Sequence, residues 1–227
     1  MVSATIPNVF QSVGEGSITT YNYADIQNGT GVIILQGANS VDQTTSTYFL
    51  SNNSTYSNDI STNVTTSYAD GDTTTFTKTH DIDFDLRFAA PKNIIGFVRG
   101  ILTWSQGHST TANRGGSSYV IMKVRKWDGT TETELGSSQS ETLGNIPSLS
   151  KIFNTVNLAI QITSRKHFKI GEFLRITIEI WASGQGASPT KTDTALYHDP
   201  RDRAQVSDED TAYTTKLEIH VPEVLDL

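Results

Sequence analysis

No cysteine occurs in the chain. That absence removes disulfide staples, a thiolate nucleophile and cysteine-bound zinc together. At 227 residues the chain can bury a sizeable core without staples, so the missing cysteine leaves the compartment open. Basic charge is scarce too: a net charge of -7 and a pI near 5.1 argue against a nucleic-acid partner, which needs a basic footprint for phosphates. The one notable basic cluster, Lys123, Arg125 and Lys126, alternates with apolar residues and reads as a solvated strand face. No stretch approaches the roughly 20 apolar residues of a membrane helix. The opening Met-Val-Ser-Ala-Thr-Ile-Pro has neither the basic start nor the apolar run of a secretory leader. The expectation is a soluble chain made without a cleavable export signal, with neither nucleic acid nor membrane as partner. Asn-x-Ser/Thr triplets start at Asn28, Asn52, Asn53 and Asn63, and composition explains them in a region dense in Ser, Thr and Asn.

Heptads, helical repeats and a strand–helix rhythm are also missing. Present instead is strict two-residue alternation. In Glu172 to Ala182, Leu174, Ile176, Ile178 and Ile180 point one way, and Arg175, Thr177, Glu179 and Trp181 the other. Side chains on a strand change face at every residue, so this is a strand with one dry face and one wet or partnered face. His80 to Phe88 repeats the pattern, with Ile82, Phe84, Leu86 and Phe88 opposite Asp81, Asp83, Asp85 and Arg87, until Pro91 breaks it. Val32 to Leu35 reads as a buried strand. Ile94 to Trp104 forms another, with Gly96 and Gly100 marking bulges or a close neighbour. Tyr119 to Trp127, turned by Asp128-Gly129 into Thr130 to Leu135, is a hairpin. Thr155 to Thr163 reads as a strand, with a turn of helix at Ser148 to Phe153.

Between Asn39 and Thr79 the alternatives are long polar loops or exposed, Thr-rich strands with single aromatic anchors. The second fits the strand preference of Thr, with Asp70-Gly71-Asp72 as a hairpin tip. Ser183 to Thr215 reads as an overlong loop, and Lys216 to Val221 as a closing strand ended by Pro222. These elements predict an all-β protein: an antiparallel β-sandwich, jelly-roll-like, of residues 21–227, preceded by an extended N-terminal arm of residues 1–20.

Few groupings invite chemistry. Asp81, Asp83 and Asp85 sit about 7 Å apart in a row on one strand, where catalysis needs carboxylates facing each other across a substrate. As an EF-hand the stretch fails, with Leu86 where glycine belongs and Lys92 where glutamate belongs. Tyr197-His198-Asp199-Pro200-Arg201-Asp202-Arg203 gathers an imidazole, carboxylates and guanidiniums around a proline, and reads as structural ion pairing or a subunit contact. The other histidines (His80, His108, His167, His220) lack an orienting partner at recognisable spacing. Trp104, Trp127 and Trp181 lie at or near strand ends, as core-edge packing or as a carbohydrate-stacking platform. No catalytic residue, metal ligand or cofactor is assigned.

Several stretches together carry a likeness: Tyr21 to Ile26 with Gly29-Thr30-Gly31, the Trp127 to Thr133 hairpin, Phe168 to Thr177, Tyr197 to Pro200, and the closing Lys216 to Pro222. The arrangement resembles β-sandwich structural proteins of tailed-virus particles, of the decoration, cement or tail-associated kind. The resemblance implies a non-enzymatic virion component, made in the host cytoplasm, that oligomerises with itself and packs on other virion proteins. The expected contacts are the arm, through Ile6, Val9 and Phe10, and the 183–215 loop, through Tyr197, His198, Asp199, Arg201 and Arg203. The alternative is a carbohydrate- or receptor-binding module using Trp104, Trp127 or Trp181. A jelly-roll hydrolase would need facing carboxylates in a cleft.

Overall fold

The computed structural model describes residues 19–20, 29–42, 45–52, 64–69, 75–108, 116–144, 151–184, 192–202 and 214–224. The expectations for Ile6, Val9, Phe10, Tyr21 to Ile26, Asp70 to Asp72 and Arg203 lie outside the described residues. Every regular element described is a strand: β1 (Thr19–Thr20), β2 (Thr30–Asp42), β3 (Thr45–Ser51), β4 (Val64–Ala69), β5 (Thr77–Arg87), β6 (Lys92–His108), β7 (Ser118–Trp127), β8 (Glu132–Gln139), β9 (Ile152–Phe168), β10 (Phe173–Ala182), β11 (Thr192–Tyr197) and β12 (Glu218–Val224).

The strands run in the order β4-β11-β6-β12-β2-β3-β5-β10-β7-β8, with β1 on β2 and β9 on β6. Every pairing is antiparallel except β3 with β5, a single parallel bridge from Phe49 to Asp85. At that weak seam the ladder folds over into a sandwich. One layer holds β5, β10, β7 and β8; the larger holds the rest. The chain crosses between them repeatedly, in the jelly-roll-like manner, and contacts across the interior fix the stacking. Trp104 Nε1 on β6 donates to Ser118 Oγ on β7 at 3.1 Å. A Cβ on Gly136 of β8 would stand 2.6 Å from Ile160 of β9. The all-β antiparallel sandwich is therefore what the chain forms.

Leu174, Ile176, Ile178 and Ile180 of β10 are fully buried, with β5 on one side and β7 on the other. They meet Ile33, Leu35, Val98, Leu102, Ile160 and Ile219 of the larger layer in one core cluster. The alternation of β5 holds as well, with Ile82, Phe84 and Phe88 buried. The β7–β8 hairpin forms as read, its turn held by Asp128 Oδ1, which accepts the N–H groups of Thr130 (2.8 Å) and Thr131 (2.7 Å). Gly96 has a φ of 115° and sits where the β6–β9 register slips, a bulge that a residue with a Cβ would strain. Gly100 answers a different need: its missing side chain leaves room for the Met122 sulfur from the opposite layer.

Several expectations change. Ser183 to Thr215 contains a strand, β11, between β4 and β6. Its polar look conceals buried hydroxyls with partners. Thr192 Oγ1 donates to the Ser183 carbonyl at 2.9 Å and accepts from Gly116 N at 3.0 Å, and Thr194 Oγ1 lies 2.9 Å from Thr79 Oγ1. Ile152 and Phe153 belong to β9, so the helical turn expected at Ser148 to Phe153 gives way there to strand pairing with β6. Pro222 does not end β12. It stays opposite Val32 of β2 and lies on the β6 side in the register irregularity between His220 and Glu223. Ile34 is 37% exposed, so Val32 to Leu35 buries only one face.

Candidate functional site

The two outer faces of the sandwich differ in kind. On the four-stranded layer, the rows across β5, β10 and β7 read Asp85–Arg175–Arg125, Asp83–Thr177–Lys123 and Asp81–Glu179–Ile121. Arg175 faces Asp85, while Arg125 beside Arg175 and Asp81 beside Glu179 are like-charge neighbours, each balanced by a further partner, Glu132 and Lys78. Arg175 grips Asp85 with two bonds, Nε to Oδ1 at 2.7 Å and Nη2 to Oδ2 at 2.8 Å, and reaches Asp83 at 3.2 Å and Glu132 at 3.4 Å. Thr177 Oγ1 donates to Asp83 at 2.6 Å, and Lys78 meets Asp81 at 2.6 Å. The aspartate row thus belongs to an ion-pair ladder. Lys123 and Arg125 belong to it as well, through Glu179 (2.7 Å) and Glu132 (3.3 Å), so the basic cluster is paired and not simply solvated. Glu179 is only 2% exposed. Burial pushes its carboxyl up, but hydrogen bonds from Lys123 and from Trp181 Nε1 (3.0 Å) outweigh burial and hold it below the ordinary range. Among the described residues no group of three metal-ligating side chains gathers.

Aromatic pairs flank this ladder. Trp127 packs on Phe173 at 4.7 Å with the Arg175 guanidinium 4.4 Å from its centroid, and Tyr119 stacks on Trp181 at 6.3 Å and 7°. Eight residues along β10 separate the pairs, roughly 27 Å. Trp104 belongs to neither. It is completely buried, because β6 turns it inward to Ser118, and it cannot stack on an external sugar.

The outer face of the larger layer mixes exposed apolar groups with polar ones, among them Arg99, Asn157 and Gln161. Its rows, read from the strand registers, are Gln36–Glu218–Ile101, Ile34–His220–Arg99 and Val32–Pro222, with Phe97 and Ile95 beyond on β6. Phe97 is 50% exposed, and Ile34 and Ile95 are each 37% exposed. The acidic group there is satisfied internally: Glu218 meets His220 at 2.6 Å and Lys216 at 2.9 Å. Arg99 lies 6.0 Å from the Phe97 ring and forms no ion pair among the described residues. Sequence reading passed over this face. The signal was there: Ile94-Ile95 and Val32 to Leu35 carry apolar residues at positions of both parities, which means either a second covering layer or exposed apolar groups on the outer face.

The segment from Tyr197 to Asp202 is an internal brace. Tyr197, His198 and Asp199 are buried by the chain itself, so as surface contacts these side chains are closed. Tyr197 Oη lies 3.2 Å from Ser105 Oγ. The His198 ring packs edge-on against Tyr48 (5.4 Å) and Phe84 (5.5 Å), bridging the layers, and burial lowers its pKa to about 4. Asp199 Oδ1 accepts from Arg201 N at 3.2 Å, and Asp202 Oδ1 from Thr215 N at 2.7 Å. Carboxylates bonded to backbone N–H groups hold this turn, and Asp202 adopts a φ of 51° within it. Arg201 is exposed.

No protein-family model matches the chain, and no curated protein matches it. Among solved structures, a CocE/NonD family hydrolase from Staphylococcus aureus is similar at 10% identity and a TM-score of 0.34, over 83% of this chain and 41% of that one. The infectious bursal disease virus Gx strain structure is similar at 11% identity and a TM-score of 0.27, over 92% of this chain and 53% of that one. The VP2 subviral particle of infectious bursal disease virus gives 12% identity and a TM-score of 0.27, over 93% and 56%. The chain spans about two fifths to just over half of the length of these structures. Viral capsid proteins and a hydrolase stand side by side here, and at these scores neither likeness bears on function.

Proposed function

We propose that the chain is a structural component of a virus particle, of the decoration, cement or tail-associated type, acting by contact and not by turnover. It assembles with copies of itself and with other virion proteins. The motifs from Tyr21 to Pro222 support the viral setting. One observation supports the contact mode: on the outer face of the larger layer Ile34, Ile95 and Phe97 are left uncovered among the described residues. Exposed apolar side chains sharing one face suit a surface that another protein covers. Light scattering of the purified chain tests this. The full chain is expected to be an oligomer, and Phe97→Asp to shift its mass toward the 24.8 kDa of one chain. An unchanged mass contradicts the reading.

A second reading has its own support. Trp127 and Trp181 share the outer face of the four-stranded layer, where partly exposed rings can stack on sugar. A glycan array probed with the chain and with Trp127→Ala and Trp181→Ala separates the two. Glycan binding by the single subunit, lost in either variant, favours a carbohydrate-binding module.

A further inference from the structure

We propose that the second edge of β9 pairs antiparallel with the same edge of a second copy of this chain, about a two-fold axis at Ala159, so that two larger layers join into one continuous sheet. The inference deepens the assembly reading above by naming the strand and the partner, and rests on that reading only in that copies associate. β9 runs 17 residues, Ile152–Phe168, and among the described strands it pairs with β6 alone. Along its other edge no described strand is paired, and alternate N–H and C=O groups point outward there.

Sheet edges are ordinarily guarded by charge, proline, a bulge or brevity. The two strands that end the strand order follow that rule. β8 carries Glu132 and Glu134 and a register shift against β7, and β4 is only 6 residues long. β9 departs from it. From Ile152 to Ser164 it holds no charged residue, no proline and no glycine. Its ladder with β6 runs without a slip from Ile152 to Ile162, so this stretch of edge is also regular. The guards stand outside it. Lys151 precedes it, and beyond it Thr163 to Arg165 bulge against the single Ile95, with Lys166 next.

The occupant is a second copy because the stretch is complementary to itself. About an axis at Ala159, each residue opposes the one equally far on the other side of it. On the inner side Leu158 then lies beside Ile160 and Val156 beside Ile162, which carries the apolar row across the seam. On the outer side Asn157 meets Gln161, two amides that can exchange hydrogen bonds, and Ala159 meets itself with little bulk between. An axis one or two residues earlier would set Asn154, on the inner side, against Ile162 or Ile160. With the axis at Ala159, Arg165 and Lys166 lie toward Phe153 and Ile152 of the copy, away from their own counterparts. Phe97 pairs with Gln161 close to the axis, so the joined sheet sets Phe97 of both copies on one outer side. A ladder of this length is marginal alone, because each backbone hydrogen bond nets little against the freedom lost on association. Covering the shared outer face completes the hold, so Phe97→Asp releases single chains as well.

A chain without cysteine lets the register be read by cross-linking. Opposed residues of an antiparallel pair have Cα atoms about 4.5 to 5.5 Å apart, within disulfide reach. Gln161 would stand about 14 Å from its own counterpart, out of reach. Full-length Ala159→Cys, Asn157→Cys and Gln161→Cys are oxidised in the assembled state, each shown to be folded by circular dichroism, and linked pairs are followed by non-reducing electrophoresis. Ala159→Cys is expected to link at least tenfold faster than either other variant alone. Asn157→Cys exchanged with Gln161→Cys is expected to link about as fast as Ala159→Cys. Ala159→Lys, which sets two cations face to face, is expected to lower the mass seen by light scattering. Equal linking by all three variants, or none by Ala159→Cys, overturns the inference. If Phe97→Asp still lowers the mass in that case, the assembly reading stands without this edge. A full chain that stays single and links at none of these positions removes both.

Discussion

The two outer faces share one interior and little else. The four-stranded layer places Arg175 beside Asp83 and Asp85, and Glu179 beside Lys123 and Lys78, so its charges satisfy each other within the chain. The larger layer exposes Ile34, Ile95 and Phe97, which nothing among the described residues covers. A face closed by its own pairs gains stability from within; one with exposed apolar groups gains it from a partner. Substitutions on the two should therefore be felt in different measurements: unfolding for the first, association for the second.

The largest effect belongs to the interior that both layers share. His198 is neutral and buried, with a pKa lowered from 6.5 to about 4, chiefly by burial. The unfolded chain takes up a proton at higher pH than the folded one, so stability is full above 6.5 and is lost as pH falls toward 4. The shift is worth roughly 3 kcal/mol. Urea unfolding between pH 7 and 4 should show this loss, and His198→Phe should flatten it. An unchanged pH profile in that variant would assign the loss to other groups.

Breaking the closed face comes next. Arg175→Ala strips Asp85 and Asp83 of their cation in a half-buried setting, at an expected cost of about 2 kcal/mol in urea unfolding. Its oligomer mass should not change; a lower mass would mean that this face also carries contacts. The smallest stability effect is expected from Phe97→Asp on the open face, within about 0.5 kcal/mol. There the change should appear in particle mass alone. A variant that unfolds instead would show that Phe97 supports the fold.

Much of the fold was legible wherever one strand face meets core. In β10 and β5 the isoleucines and Phe84 alternate with charges, and the pattern fixes both the element and its inner side. β11 was not legible. Thr192 and Thr194 sit between strands with their hydroxyls satisfied by backbone and by Thr79, and such a strand looks like a loop in one dimension. The ion-pair ladder was hidden for a related reason. Asp83 and Asp85 are a row of like charge along β5, and only the register with β10 reveals Arg175 and Thr177 beside them. Sequence left Trp104 open between core-edge packing and a carbohydrate platform, and His198 between structural pairing and a subunit contact; inter-layer contacts with Ser118 and with Tyr48 and Phe84 claim them. Phe97 shows the remaining gap, since an apolar run in a strand does not reveal what lies against its outer side.

Hydroxyl-radical footprinting of the oligomer against the Phe97→Asp single chain tests the contrast most directly. Ile34 and Ile95 are predicted to be protected in the oligomer and labelled in the single chain, while Trp127, Trp181 and Tyr119 are labelled equally in both. Protection of Trp127 and Trp181 in the oligomer, with Ile34 and Ile95 equally labelled, would contradict the account and move the contact to the opposite face.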